Sequence, residues 1–516
     1  MKTLSGQTGP AMNEPAVARF YTRRDVIIIV LLTAAVIAIS AHAPSNTYAY
    51  AQRWQAGASI GVAQGGNWLL PRNQAWGLAR KGPLYAWLDA PVLMLTGIYD
   101  DFTFRLPTVA AALATALCVY VLGRWWYGRR VALLAACLWI AAHHMVRLAY
   151  LGTTDMLLTL WITCSIMCVD RLVFHPAARR NRKWWACGLW VSMILGALTK
   201  GWGVVNLPLV AGMTALAAAL GPGFEAHAAA RRPGNAILLI MRLILRRWWN
   251  AIKAIRLWWG LPAFAAVTAL MVWGMFAVGG KDFRELVYFE VIQRATGRGE
   301  HPPVSPSAPA ILTLMYYALP ASFFALGGLL LVRPSAWLTR KGPIYLPLCW
   351  VIAVVVPFSM AHGFRPDYLL PCYAPVALMG AWAVDNLARR QGRGGTLLPV
   401  LRHAFAAPAV IIGEGLVVIA SAYLLHRHLP PSLAKLLPVP AEVRGESWWI
   451  LGSVIVLGLG VVAWAIRSSL RWKLGQVAFA ACVGMVGVMF VYSHFVSRHD
   501  RTGDGEKMRR FAQRTR

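Results

Sequence analysis

The sequence predicts an all-α polytopic membrane protein, and three observations lead there. Hydrophobic residues fill 58% of the 516 positions and charged residues only 14%, where a soluble domain carries about 25% charged residues. Mean hydropathy is +0.53. Apolar runs approaching the ~20 residues a spanning helix needs recur along the chain, and Leu257–Gly280 contains no charged residue. Such a chain dissolves in lipid as one body. Global disorder, a coiled coil and a disulfide scaffold are excluded.

Taken in order, candidate spans fall near 26–42, 104–123, 131–147, 156–174, 184–199, 202–221, 257–279, 309–332, 344–361, 368–388, 405–425, 448–466 and 475–494, about thirteen in all. The first follows a tail holding Arg19, Arg23 and Arg24 and lacks a clear small-residue cleavage site, so it reads as a retained helix with a cytoplasmic N-terminus. Alternation then puts 124–130, 175–183, 225–256, 333–343, 389–403 and 467–473 inside, and each of these is rich in Arg or Lys. The expected location is the cell (inner) membrane. The basic C-terminal tail would fall outside, which is the one discord. No internal repeat is visible, which argues against transporter folds built from repeated halves.

The net charge of +31 comes from 51 Lys and Arg against 20 Asp and Glu. It arrives in short bursts between apolar runs, as retained cytoplasmic loops require, and not as one stripe for nucleic acid. Membrane lipids with anionic head groups are the partners such loops meet. The eight cysteines form no metal-type pair and read as small packing residues. The organisation expected is a transmembrane module over 1–404, with long outer loops at 43–103 and 280–308. Three further helices and a short basic tail follow over 405–516. The first loop carries Trp54, Trp68, Trp76 and Trp87 and an amphipathic stretch over 84–98, suited to the outer interface.

Ionisable groups at the edge of these spans need a partner or a task. Asp155 opens a span in Tyr150-Leu-Gly-Thr-Thr-Asp155. It reads equally as a first-turn acid complementing the helix dipole or as a carboxylate aimed into an outward cavity. Lys200, in Leu198-Thr-Lys200-Gly, sits in a short outer turn where it can snorkel or meet a phosphate. Arg80-Lys81 and Arg294 pose the same choice in the other outer loops. Several cations beside few acids on one face suit an anionic headgroup. There is no Walker A sequence, and His143-His144 lacks a third ligand, so they read as interface histidines.

Eight short pieces then occur in a telling order. They are Gly66-Asn-Trp-Leu-Leu-Pro71, Arg80-Lys81-Gly-Pro-Leu-Tyr-Ala-Trp87, Phe104-Arg105-Leu-Pro107, and Leu122-Gly-Arg124 with Gly128-Arg129-Arg130. Arg147-Leu-Ala-Tyr-Leu-Gly-Thr-Thr-Asp155 and Leu198-Thr-Lys200-Gly follow. Phe289-Glu290 with Gln293-Arg294, and Pro366-Asp-Tyr368-Leu-Leu-Pro371, complete the set. Over residues 44 to 390 the chain resembles the GT-C membrane glycosyltransferases, in particular the aminoarabinose transferase and protein O-mannosyltransferase group.

The resemblance implies an inverting transfer of a sugar from a polyprenyl-phosphate donor to a lipid, glycan or protein acceptor on the outer face of the membrane. It assigns Asp155 to the reaction centre, often with a divalent metal. Lys81 would face the donor phosphate, and Lys200 and Arg294 match cations near the lipid-phosphate cavity. Arg105 matches a position either structural or catalytic, and Tyr368 one beside the cavity. One departure stands out. The family carries acids early in the first outer loop, but between Asp25 and Asp89 there is neither Asp nor Glu. The stretch here contains Asn46, which can orient an acceptor but cannot take its proton. Arg80 also stands where relatives have Glu. Either Asp155 is the base, or Asp89, Asp100 or Asp101 folds back, or the chain is a silent relative that binds polyprenyl lipid or scaffolds an envelope complex. A lipid or sugar transporter is a third reading.

Overall fold

Asp25 pins the first helix, α1 (Arg23–Ala41), at its start. Arg129 donates Nε and Nη2 to its two carboxylate oxygens at 2.8 Å each, and the Tyr120 hydroxyl adds a bond of 2.7 Å. A fully buried carboxylate is tolerated here because it is paired and hydrogen-bonded. The ties also fix which neighbours α1 has, since Tyr120 lies on α4 (Leu106–Trp126) and Arg129 begins α5 (Arg129–Ile140). The computed structural model describes residues 22–41, 50–73, 77–100, 102–149, 151–175, 181–201, 205–220, 233–289, 308–332, 337, 343–360, 364–391, 397–425 and 448–491.

Between α1 and α4 the chain folds into α2 (Tyr50–Ala63), a two-residue-a-side hairpin of β1 (Arg72–Asn73) and β2 (Gly77–Leu78), and α3 (Leu84–Thr96). After α5 come α6 (His143–Leu148), α7 (Thr154–Val169), α8 (Arg182–Thr199) and α9 (Asn206–Leu220). The later elements are α10 (Pro233–Ala254), α11 (Leu257–Val287), α12 (Ala310–Tyr317), α13 (Ala321–Leu331) and α14 (Tyr345–Met360). A 3₁₀ turn over Pro366–Cys372 leads into α15 (Tyr373–Arg389), and α16 (Leu397–Leu425), α17 (Trp448–Leu470) and α18 (Leu474–Val491) close the order. The helical fold class is as expected, and the chain is an integral membrane protein.

The main core lies where α4, α5, α7, α13, α15 and α18 meet. It is rich in alanine, including Ala112, Ala116, Ala132, Ala135, Ala136, Ala377 and Ala381, all fully buried or nearly so. Lipid supplies little hydrophobic drive between helices, so small residues that let backbones approach closely supply the packing instead. Trp139 and Trp350 fill the larger gaps.

Among the described residues six helical stretches are long and apolar enough to cross a membrane: 103–126, 154–174, 257–287, 399–424, 448–470 and 474–491. Other expected spans coincide with shorter helices, such as α9 with 15 residues and α14 with 16. Three expectations need correcting. The span expected over 309–332 is two helices, α12 and α13, bent by 115°. Pro320 stands at this break, where its missing N–H and ring oppose a continuous helix. The run over 131–147 is likewise split into α5 and α6, and the His143 N–H donates to the Leu319 carbonyl at 2.7 Å, so the two breaks meet. The segment 225–256, expected as a basic connecting loop, holds the 22-residue amphipathic helix α10. Its Trp248 donates to the Ala215 carbonyl on α9 at 3.0 Å.

Candidate functional site

Asp155 is the second residue of α7, where a carboxylate complements the helix dipole. The N-cap is Thr153, so the acid is free to reach sideways. Lys200 ends α8 in an extended conformation, its N–H closing onto Gly196 at 3.1 Å. That turn sends its ammonium across to α7, and Nζ lies 2.5 Å from Asp155 Oδ1. Both side chains are nearly enclosed, at 13% and 12% exposure. Nζ also lies 4.5 Å from the centre of the Tyr368 ring, a cation–π contact strengthened by desolvation. Burial disfavours the Lys200 charge, but Asp155, Tyr368 and Asp367 outweigh it and raise its pKa.

Asp367, the neighbour of Tyr368, brings a second carboxylate to the same place. His144 Nε2 donates to its Oδ1 at 3.2 Å and Arg365 Nη2 to its Oδ2 at 2.5 Å. Burial opposes ionisation of Asp367, yet the His144 hydrogen bond and the charges of Arg365, His144 and Lys200 hold its pKa well below the usual carboxylate range. The other ring nitrogen, Nδ1, lies 3.1 Å from the Tyr373 hydroxyl, which fixes the orientation of the ring. The His144 ring lies 4.5 Å from that of Tyr317, which stands at the α12–α13 break. The broken span thus shapes the wall behind the histidine.

The chain reaches this group from the first outer loop as well. A Cβ on Gly82 would lie 1.9 Å from the Leu198 carbonyl oxygen, so only glycine permits the loop to rest on the end of α8. This contact sets Lys81 beside the turn that carries Lys200. Together α7, α8, the 3₁₀ turn, α6 and the Lys81 loop surround two carboxylates with Lys200, Arg365 and a histidine.

Of the residues singled out in the sequence, Asp155, Lys200 and Tyr368 are in direct contact, and Lys81 approaches through Gly82. Arg105 is buried at the start of α4, 1% exposed, and its charge is felt at Tyr85, whose hydroxyl donates to the Phe104 carbonyl at 2.6 Å. Asn46 and Arg294 lie outside the described residues, as does Asp101. Asp100 is engaged elsewhere, whereas both carboxylate oxygens of Asp89 are buried without a hydrogen-bond partner among the described residues. Asp100 caps the 3₁₀ turn at Thr103, accepting from its N–H at 2.8 Å and from its hydroxyl at 2.7 Å. Asp89 is fully buried on α3. Burial pushes its pKa up to about 7, against the smaller opposing effect of the Ser59 hydroxyl. Sequence reasoning missed Asp367, Arg365 and the task of His144. Asp367 stood in a quoted motif, but its histidine partner is 223 positions away, as the numbers 367 and 144 show.

A divalent metal implied by the resemblance has a poor donor set here. Asp155 already faces an ammonium, and Asp367 a guanidinium and an imidazole. Among the described residues no group of three or more His, Cys, Asp or Glu converges as a metal site would require. A metal would have to displace Lys200 or Arg365, so it does not fit this pair.

Comparison with known proteins agrees with the geometry. A family model described as dolichyl-phosphate-mannose-protein mannosyltransferase matches residues 80–249. The chain is 26% identical over 427 residues to the undecaprenyl phosphate-alpha-4-amino-4-deoxy-L-arabinose arabinosyl transferase of Erwinia tasmaniensis, covering 78% of this chain and 69% of that one. With the same transferase of Pectobacterium carotovorum it shares 28% over 339 residues, 63% of this chain and 53% of the relative. The chain therefore spans between about half and about two thirds of the length of these relatives. Among solved structures, ArnT from Cupriavidus metallidurans bound to undecaprenyl phosphate superposes with a TM-score of 0.65 at 18% identity, covering 93% of this chain and 79% of that one.

Proposed function

From the GT-C glycosyltransferase fold that the chain adopts, we propose that it moves a sugar from a polyprenyl-phosphate donor to an acceptor hydroxyl on the outer face of the inner membrane, with its N-terminus inside. The observation that carries this reading is the Asp155–Lys200 pair under the Tyr368 ring, joined to Asp367, Arg365 and His144. Ionisable groups gathered at the ends of spans are costly unless they serve a polar substrate. Undecaprenyl phosphate is what the Cupriavidus ArnT structure holds. Here Lys81, Lys200 and Arg294 would receive the phosphate of such a donor.

The chemistry is a single displacement. The acceptor oxygen bonds to the anomeric carbon as the bond from that carbon to the phosphate oxygen breaks, and polyprenyl phosphate leaves. The hydroxyl proton goes to Asp155, a contribution of about 10²–10⁴-fold for a placed base. Protonating Asp155 weakens its hold on Lys200, whose charge then meets the leaving phosphate as negative charge grows there. Proton uptake and charge stabilisation are thereby coupled through one 2.5 Å contact. Asp367 keeps His144 and Arg365 oriented beside it.

Purified protein incubated with radiolabelled polyprenyl-phosphate sugars and cell-envelope extract should move label into an envelope acceptor. Transfer should fall in Asp155→Asn. Donor binding without transfer under any acceptor would instead favour a silent relative. Orientation is tested with single cysteines in a background lacking native ones. A cysteine at Gly65 should react with an impermeant thiol reagent from outside and one at Gly234 should not, and the reverse would overturn the topology.

A further inference from the structure

A second pocket, of about 340 Å³, opens on the far side of the loop that carries Lys81. Trp54 of α2, Arg72 of the hairpin, Arg80 and the end of α11 form it, the last contributing Asp282, Glu285 and Phe289. Gly280 makes this possible. Its φ of 52° and ψ of −123° break α11, so its last turns leave the line of the span and face the hairpin. The position favours glycine because φ is positive there. Arg72 Nη2 then donates to Asp282 Oδ2 at 3.2 Å, tying hairpin to helix. The Arg80 guanidinium lies 4.7 Å from the Trp54 ring centre and 5.2 Å from that of Phe289.

We propose that this pocket is the acceptor subsite and that it takes a saccharide, with the sugar ring against the aromatic walls and its hydroxyls on Arg72, Arg80, Asp282 and Glu285. The size falls at the lower end of small-molecule sites, about 300–1,000 Å³. Asp282 faces Arg72 and Glu285 faces Lys281 at 3.8 Å, so the pocket offers both donors and acceptors and its cations are largely opposed by carboxylates. That favours a polyhydroxylated neutral or zwitterionic group over a lipid phosphate, which would want the cations unopposed. Aromatic faces beside charged hydrogen-bonding groups suit a molecule that is apolar on its C–H faces and polar at its edge. The placement is right for a second substrate, because Arg80 and Lys81 are adjacent and Lys81-Gly82 runs directly onto the end of α8.

The acceptor role rests on the transferase reading, but saccharide binding is measured without turnover. Detergent-solubilised full-length protein is applied to an array of bacterial glycans, with a Ser/Thr-rich peptide and phosphatidylglycerol vesicles as comparison probes. The expected result is glycan binding that falls about tenfold or more in Arg80→Ala and in the exposed-site variants Glu285→Gln and Asp282→Asn. Affinity for undecaprenyl phosphate should meanwhile stay within about twofold. Trp54→Phe, which keeps the ring, should retain binding better than Trp54→Ala. Capture of the peptide and not the glycans would overturn the proposal, as would glycan binding indifferent to all these variants. Loss of undecaprenyl phosphate affinity in parallel would assign the pocket to the donor instead. Glycan binding that depends on the pocket, in a protein with no transfer, would sink the transferase reading and leave the saccharide site standing.

Discussion

His144 and Asp367 meet at 3.2 Å, and through that contact the break in the predicted span 131–147 becomes part of the candidate site. Asp367 in turn feels Lys200, the partner of Asp155. Two carboxylates, one behind each cation, are therefore electrostatically linked although they come from opposite ends of the transmembrane module.

The Asp155–Lys200 pair yields the first prediction. Asp155→Asn should lower transfer by about 10²-fold or more in a protein that stays folded. Lys200→Met should be comparably severe, because it strands a nearly enclosed carboxylate, a loss of about 3–5 kcal/mol for a buried pair. The double variant should be little worse than either single one. Additive losses in a double-mutant cycle would mean the residues act separately.

Asp367→Asn is the second. It removes the charge that Arg365 and His144 both address while keeping the shape. Transfer should fall by about tenfold or more if this carboxylate orients the site, with donor affinity changed less than kcat. His144→Gln should reproduce part of the loss. A drop in thermal stability with unchanged kcat would make the contact purely structural.

The helical membrane fold was legible in the chain because composition and run length act locally. Run length reports neither the bend at Pro320 nor the continuation of α11 past Gly280, since both depend on what the backbone meets in space. The site was half legible. Asp155, Lys200 and Tyr368 stand at the ends of apolar runs, where a charge or an aromatic hydroxyl is conspicuous. His144 and Asp367 stand in equally conspicuous places, but each looks ordinary until the other is seen against it. Asn46 and the absence of acids between Asp25 and Asp89 signal that a carboxylate has to come from elsewhere, and the sequence offers Asp155 or the loop acids Asp89, Asp100 and Asp101, while Asp367 draws no notice.

Asp89 yields a pH dependence of opposite sign to that of an ion-paired acid. Its folded pKa, about 7, lies above the ordinary carboxylate value of 3.8. Between these values the native state holds a proton that the unfolded chain has released, so stability falls as pH rises from about 4 to about 7 and then levels off. Asp89→Asn removes the ionisation. It should stabilise the protein near pH 7.5 by on the order of 4 kcal/mol, at ~1.4 kcal/mol per pKa unit, and be nearly neutral at pH 4. Thermal unfolding in detergent at both pH values checks this. Equal effects at the two would show that Asp89 is already ionised or already hydrogen-bonded in both.

Asn46→Asp with a chelator tests how the centre compensates for its missing early acid. The sequence resemblance implies an acid in that stretch, whereas here Lys200 and Arg365 already neutralise both carboxylates of the described site. A divalent ion added to this arrangement would compete with protein cations held at 2.5 Å. Wild-type transfer should therefore persist in EDTA, and Asn46→Asp should change it by less than about threefold, since base and charge stabilisation are already supplied. If chelation abolishes wild-type transfer and Mg²⁺ or Mn²⁺ restores it, a metal does enter, and the pairing of Asp155 with Lys200 must open to admit it. If Asn46→Asp instead raises transfer by about tenfold or more, the natural chain runs short of a base and Asp155 carries that duty only in part.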